Sequence, residues 1–467
     1  MATMTDPTST DFSSLKLRPE LLPNLTSLGY DVMTPIQAQS LPAVLAGRDV
    51  IAQAKTGSGK TAAFGLGILS RIDVDQFRIQ SLVLCPTREL AEQVATEIRR
   101  LARTIHNIKV LTLCGGKPVG PQLISLKHRA HVVVGTPGRV ADHLRRETLK
   151  LEHCEVFVLD EADRMLDMGF QEVLEFIFDH FQERCQTLLF SATFPPQILD
   201  IAGRIMNRPV QVEVDSTHDE NSIRQEFYAV NSDDHRRLAL RLLLQKHNPE
   251  SALVFCNTKK DAHELACSLR AEGVSVLALH GDLEQYERDE TLARFSNKSV
   301  RVLVATDVAA RGLDIDALDA VFNFHIARES EVHVHRIGRT GRAGARGIAC
   351  SLVGPKEGRK IQRLSTHFGH DLQMTPLPSR AALDPVQSQP SVVTLEIAGG
   401  KKHKIRPGDI LGALTGLGGI EGTKVGKINI LANTSYVAIA REATQTALAK
   451  LADGKLKGRR FRVRLLE

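Results

Sequence analysis

Eight residues, Ala54-Lys55-Thr56-Gly57-Ser58-Gly59-Lys60-Thr61, follow the apolar run Asp49-Val50-Ile51-Ala52. A glycine-rich turn that leaves a strand and opens a helix directs several backbone N–H groups at one anion. That arrangement restricts the chain to an α/β architecture with the turn at the carboxyl edge of a sheet. Thr56, Gly57, Ser58 and Gly59 would wrap a phosphate chain, Lys60 would reach the outer phosphates, and the Thr61 hydroxyl would ligand Mg²⁺. The general motif begins with glycine, and Ala54 stands in that place. Taken alone, the octet also reads as an ordinary strand-to-helix turn with an exposed lysine.

A carboxylate box, Asp160-Glu161-Ala162-Asp163, lies about a hundred residues downstream of the turn and ends the run Cys154-Glu155-Val156-Phe157-Val158-Leu159. If that run is a buried strand, Asp160 and Glu161 also reach the carboxyl edge, where open α/β sheets bind their ligands. Asp160 would hold Mg²⁺ largely through water, and Glu161 would orient and deprotonate the attacking water. An isolated acidic cluster is more often a solvated helix start. Turn and box together point to hydrolysis of ATP or GTP.

Apolar runs alternate with amphipathic stretches. Ser81 to Cys85, Lys109 to Leu113, His131 to Val134, Val156 to Leu159 and Thr187 to Phe190 read as buried strands, and Glu89 to Arg103 as one of the helices between them. Such alternation argues for a parallel sheet covered on both faces. The pattern pauses at Asp215 to Ser222, a linker, and restarts with Ser251 to Phe255, Ser275 to Leu279, Val300 to Val304 and Ala320 to Asn323. The expectation is α/β: two tandem RecA-like lobes at 1–213 and 222–370, a linker at 373–391, and a C-terminal α+β domain at 392–467.

These residues resemble the boxes of the DEAD-box RNA helicases, which occur here in order. They include Gly29-Tyr30, Thr34-Pro35-Ile36-Gln37, Pro86-Thr87-Arg88-Glu89-Leu90-Ala91, Gly115-Gly116, Thr136-Pro137-Gly138-Arg139 and Ser191-Ala192-Thr193. The second half adds Val254-Phe255-Cys256-Asn257-Thr258, Ala305 to Asp314, and His335-Arg336-Ile337-Gly338-Arg339-Thr340-Gly341-Arg342. The resemblance implies an RNA-dependent ATPase that opens duplexes locally. It implies that Tyr30 stacks on adenine, that Gln37 reads its edge, and that Gly312 and Asp314 lie near the ribose and phosphates. Arg88, Gly115, Gly116, Thr136, Gly138, Arg139, Asn257, Arg288, Thr306 and Arg311 would contact RNA. Ser191, Thr193 and His335 would couple turnover to opening. Arg339 and Arg342 are three apart, so on a helix they point the same way; the resemblance makes them arginine fingers across the interdomain cleft. A solvent-facing basic helix is the plainer reading of that pair.

Composition is that of a soluble globular protein. No apolar run approaches the ~20 residues of a membrane span, and the polar start is not a secretory signal. Seven scattered cysteines without CxxC or Cys/His spacing suggest reduced thiols in a cytoplasmic setting, not a zinc site. Cys85, Cys256 and Cys350 read as small buried hydrophobes.

Charge is distributed unevenly. Residues 391–467 carry 14 Lys and Arg against 6 Asp and Glu, a net of +8, whereas the whole chain is only +6. Pro376, Pro378, Pro385 and Pro390 punctuate the stretch before this basic module, which reads as an extended linker. The module follows a βαββαβ order: strands at Val392 to Ala398, Gly426 to Leu431, Ser435 to Ala440 and Phe461 to Leu466, helices at Asp409 to Leu414 and Glu442 to Ala452. That is the order of an RNA-recognition motif, but Tyr436 is the one stacking aromatic, with Glu396 and Ile439 where others are expected. Lys401, Lys402, Lys404, Arg406, Arg462 and Arg464 make a phosphate-contacting patch, with the two last-strand arginines facing away from the core. A degenerate domain used for protein docking is the alternative.

The segment Gly399-Gly400-Lys401-Lys402, with Arg406-Pro407-Gly408-Asp409-Ile410-Leu411-Gly412-Ala413-Leu414-Thr415-Gly416, resembles the tail of one bacterial branch of the same family. That likeness implies anchoring to a 23S rRNA hairpin during assembly of the large ribosomal subunit. The expected protein is a monomer using ATP and Mg²⁺, with RNA as partner and no membrane. An ATP-gated RNA clamp with little unwinding shares every motif, and an RNA-anchoring chaperone shares the tail.

Overall fold

The structure is a computed structural model that describes residues 10–54, 57–181, 185–194, 196–214, 223–310, 318–341, 347–379 and 389–466. The chain separates into two bodies, the first ending near residue 217. The linker expected at Asp215 to Ser222 lies outside the described residues.

Seven strands build the first lobe: β1 (Val50–Gln53), β2 (Ser81–Leu84), β3 (Val110–Leu113), β4 (Val132–Gly135), β5 (Val156–Asp160), β6 (Gln186–Ser191) and β7 (Val210–Glu213). They form one sheet in the order β3-β4-β2-β5-β6-β1-β7, and every pairing is parallel. The Val/Leu-rich central strands β1, β2, β4, β5 and β6 are buried on both faces, as helix-covered parallel strands must be. The helix Arg88–Leu101 shows how the cover forms. Leu90, Ala91, Val94, Ala95, Ile98 and Leu101 line one stripe, Thr87 Oγ1 accepts the Leu90 N–H, and Arg99 and Arg100 sit in the last turn. Edge strand β7 was not expected, because Val-Gln-Val-Glu alternates and buries only Val212.

The second lobe contains β8 (Ile223–Ala229), β9 (Ala252–Cys256), β10 (Val276–Leu279), β11 (Val302–Thr306), β12 (Ala320–Asn323) and β13 (Gly347–Val353). This sheet is also parallel throughout, in the order β10-β11-β9-β12-β13-β8. Cys256 and Cys350 are core residues of this lobe and Cys85 of the first; burial pushes all three thiols up. Met374 bridges to Phe227 on edge strand β8, so the chain is still attached to the lobe where the linker was expected to begin.

Residues 389–466 fold as an antiparallel sheet of β14 (Val392–Ile397), β15 (Val425–Ile430), β16 (Ser435–Ala440) and β17 (Val463–Leu466), in the order β15-β16-β14-β17. Helices Pro407–Thr415 and Thr444–Asp453 cover one face, enclosing Leu395, Ile397, Ile410, Leu414, Val437, Ile439 and Leu451. The other face does not hang free. It packs on the second-lobe helix Gln285–Ser296 and the turn after it: Ala293 meets Tyr436 and Leu466. Asn297 Nδ2 donates to Thr394 Oγ1 at 3.1 Å, and Ser299 Oγ lies 2.7 Å from the same hydroxyl. Among the described residues, no helix is long and apolar enough to cross a membrane.

Candidate nucleotide site and nucleic-acid surfaces

Strand order explains how the first site assembles. β6 lies between β1 and β5, so its carboxyl end, Ser191, stands between the glycine-rich turn and the carboxylate box. The Ala54 N–H donates to Ser191 O at 3.0 Å, and Gln53 Nε2 reaches Ala192 O at 3.3 Å. Ala54 is buried in the core, which gives the atypical first residue of the turn a packing role. Gly59 has φ 95° and is the N-cap of helix Lys60–Arg71. A Cβ there would lie 2.5 Å from Gln37 Nε2 and 2.8 Å from Thr34 Oγ1, so only glycine fits. Gly57, with φ 86°, is exposed, and Ser58 Oγ is buried without a hydrogen bond. Lys60 is buried and donates to Ala54 O at 2.9 Å, while Thr61 is half-buried at the helix start. Thr56 lies outside the described residues.

Asp160 ends β5 and Glu161 follows in the left-handed region at φ 55°. Burial pushes the Asp160 carboxyl up to about 7; Lys60 opposes the shift, and the neighbouring Glu161 and Asp163 add to it. Asp160 Oδ1 is buried and makes no hydrogen bond. A buried, unsatisfied carboxylate oxygen among further carboxylates fits a hard cation with oxygen ligands. The donors present therefore suit Mg²⁺.

Asp163 ties the box to β6. Its N–H donates to Ser191 Oγ at 3.2 Å, and its Oδ2 accepts both the Thr193 N–H at 3.0 Å and the Thr193 hydroxyl at 2.9 Å. Ser191 and Thr193, two of the three residues expected to couple turnover to opening, thus touch the box directly. Asp163 itself was not singled out, although its place in the box was visible.

Gln37 is occupied within the protein. Its Oε1 accepts the Thr34 N–H at 2.9 Å at the start of a helix, and its Nε2 donates to Gly59 O at 3.1 Å. This residue therefore links the helix Pro35–Leu45 to the phosphate-binding turn. Tyr30 donates its hydroxyl to Glu97 Oε1 at 2.6 Å and meets buried Phe12 edge-on, leaving the ring half-buried.

Arg88 and Gly116 are adjacent: any Cβ at Gly116, which has φ 64°, would collide with the Arg88 guanidinium. Gly115 lies beside the same guanidinium, whereas Gly138 has open space where a side chain would be. Thr136 caps the helix Pro137–Arg145, and Arg139 donates to Lys117 O at 3.0 and 3.1 Å. These first-lobe residues come from the carboxyl ends of neighbouring strands β3 and β4 and from the helix after β2.

The second lobe is organised by Arg336, which sequence reasoning left unassigned. This guanidinium is 1% exposed and bonds Asp307 at 2.6 and 2.7 Å, Asn257 Oδ1 at 3.0 Å, Asn323 Oδ1 at 3.2 Å and His325 O at 2.6 Å. The Asn257 side chain also donates to Ile326 O at 3.3 Å, so it is committed to packing in this conformation. Thr306 ends β11, Arg288 reaches toward His280 O, and His335 is half-buried on helix Ser330–Ile337. That helix ends before Arg339, which is 4% exposed beyond the cap Gly338. The helical spacing assumed for Arg339 and Arg342 is therefore corrected: Gly338 closes the helix before either arginine. Arg311, Gly312, Asp314 and Arg342 lie outside the described residues.

In the C-terminal domain Lys401, Lys402, Lys404, Arg406 and Arg462 are exposed. The loop that carries the first four is tied to the β15–β16 turn, through Lys401 N–H to Leu431 O at 2.8 Å and Lys402 N–H to Ala432 O at 2.9 Å. Arg464 faces away from its own core, as alternation required, but into ion pairs with Glu396 and with Glu290 of the second lobe, the latter at 2.8 Å. Tyr436 is 3% exposed beneath the same contact, which closes the sheet face to base stacking in this conformation.

Comparisons agree with this architecture. Residues 34–201 match the DEAD/DEAH box helicase family, 234–344 the helicase conserved C-terminal domain, and 394–465 the DbpA RNA binding domain. The chain is 51% identical over 459 residues to the ATP-dependent RNA helicase DbpA of Escherichia coli, covering 98% of this chain and 100% of that one. It is 44% identical over 355 residues to the DEAD-box ATP-dependent RNA helicase CshA of Bacillus cereus, covering 76% and 67%. Among solved structures, S. cerevisiae Dbp5 bound to RNA and ADP BeF3 superposes with a TM-score of 0.72 at 33% identity, covering 79% of this chain and 96% of that one.

Proposed function

This chain belongs to the DEAD-box ATP-dependent RNA helicases, and we propose that its C-terminal domain addresses it to a 23S rRNA hairpin during large-subunit assembly in the cytoplasm, where it acts as a monomer. The observation that carries this reading is the exposed basic loop Lys401 to Arg406, within a domain that matches the DbpA RNA binding domain. Lys401, Lys402, Lys404, Arg406 and Arg462 form its phosphate-contacting surface. Arg464, being paired with carboxylates, contributes to that surface only if the interface with the second lobe opens.

In the lobes, the backbone amides of the Thr56–Thr61 turn hold the ATP phosphates and Lys60 moves from Ala54 O to the outer phosphates. Tyr30 covers adenine and Gln37 reads its edge, with Gly312 and Asp314 at the ribose and phosphates. Thr61 and Asp160 would hold Mg²⁺, largely through water, and the ion when bound would supply positive charge toward the phosphates. Glu161 takes the proton of the attacking water, and Arg339 and Arg342 stabilise the charge that develops on the transferred phosphoryl group. Arg88, Gly115, Gly116, Thr136, Gly138, Arg139, Asn257, Arg288, Thr306 and Arg311 grip one RNA strand by its backbone, without reading sequence. Ser191, Thr193 and His335 pass the state of the phosphate site to that grip.

The test is ATP turnover with a 23S rRNA fragment containing the hairpin and with generic RNA of equal length, on the full chain and on a chain ending near residue 375. Preferential stimulation by the hairpin fragment, seen only with the full chain, supports the address. Equal stimulation of both proteins by both RNAs rejects it.

A further inference from the structure

Glu161 is not held by its backbone alone. Its side chain and that of Arg164 are each 5% exposed, and Arg164 Nε lies 3.4 Å from Glu161 Oε2. The arginine is itself tied to the box, since its N–H donates to Asp163 Oδ1 at 2.9 Å and to Glu161 O at 3.1 Å. Buried arginines with a purely structural role use their donors on several acceptors, as Arg336 does. Arg164 Nη1 is instead buried without any hydrogen bond. It forms an ion pair with the carboxylate read above as the general base.

We propose that Arg164 is a positioning residue for ATP hydrolysis. Its guanidinium, in ion-pair contact with Glu161 Oε2, restricts the orientation of that carboxylate. Two physical effects support this role. A reacting group displaced by a fraction of its working distance loses much of its effectiveness. Removing one member of a buried ion pair also withdraws a fixed contact from the other. Glu161 is in addition held in the left-handed backbone region at φ 55°, and such positions persist where their surroundings over-determine them. The inference rests on Glu161 being the base.

The experiment compares the full chain with Arg164→Met, Arg164→Lys and Glu161→Gln, measuring RNA-stimulated kcat, KM for ATP and Tm. Methionine keeps most of the buried volume, and lysine keeps the charge. Arg164→Met is expected to lower kcat by ~10- to 100-fold with little change in KM, and Arg164→Lys to recover much of the loss. Three outcomes overturn the proposal. In one, Arg164→Met turns over normally while Glu161→Gln is inactive. In another, Arg164→Met and Arg164→Lys lose activity equally, with lowered Tm and raised KM, so that the arginine only packs the helix. In the third, Glu161→Gln itself keeps normal turnover, which removes the underlying assignment of the base.

Discussion

Thr193 approaches Asp163 twice, placing both its N–H and its hydroxyl on Oδ2 at 3.0 and 2.9 Å. Ser191 holds the same residue from the other side, accepting its N–H. The third carboxylate of the box is therefore anchored to β6, the strand that separates the box from the phosphate turn. The double substitution Ser191→Ala and Thr193→Ala removes two hydroxyl contacts, each worth about 1 kcal/mol. ATP turnover is expected to survive in large part while duplex separation falls. Parallel ATPase and strand-displacement assays check this; equal loss of both activities contradicts it.

Glu161→Gln retains the shape of the side chain and removes its basicity. Turnover is expected to drop by ~10²–10⁴-fold with ATP still bound, since the phosphate turn is untouched. Steady-state hydrolysis and binding of a fluorescent ATP analogue separate the two effects.

Arg336 is the largest consequence for stability. Arg336→Met removes the shared donor of buried Asn323, half-buried Asp307 and Asn257, and a backbone carbonyl, at a cost of about 3 kcal/mol. Arg336→Lys is expected to rescue little, because a point charge cannot reproduce a planar fork with four partners. Urea unfolding monitored by circular dichroism would show the loss as a lower midpoint in the second-lobe transition.

His333 gives the chain an acid-sensitive element. It is buried against Phe227 and Phe368, neither ring nitrogen has a hydrogen bond, and burial, reinforced by Arg336 and His367, pushes its pKa down to about 3. The unfolded chain takes up this proton near 6.5, whereas the folded chain refuses it until about 3. Stability from this group is thus complete above pH 6.5 and falls as pH drops through that window, by up to about 1.4 kcal/mol per pH unit. His333→Phe should flatten the difference between unfolding curves at pH 7.5 and pH 5; an unchanged difference assigns the acid sensitivity to other groups.

Ala293→Glu places a buried charge against the side chains of Tyr436 and Leu466. The C-terminal domain is expected to leave the second lobe without unfolding. An increased radius of gyration by small-angle X-ray scattering, with unchanged circular dichroism, would record this; an unchanged radius means the polar contacts suffice.

Local chemistry made much of this protein legible. Runs such as Val156 to Leu159 can satisfy themselves only as buried strands, and a glycine-rich turn ending in Lys60 and Thr61 carries its own anion-binding logic. The βαββαβ order of the tail followed from the same periodicity, within a residue or two at most boundaries. Edge strands β7 and β8 escaped, because a strand with one exposed side has no apolar run to betray it.

Tertiary structure decided which distant residues share an environment. Insertion of β6 between β1 and β5 brings Ser191 and Thr193 to the carboxylate box, and such strand order is a long-range property that no local pattern encodes. Arg336 had no assigned role in the sequence and Arg464 read as a phosphate contact, yet one is sealed in a core and the other pairs with Glu290 across an interface. A charged side chain has one identity in sequence, but its cost and its use depend on what folding places beside it once water is excluded.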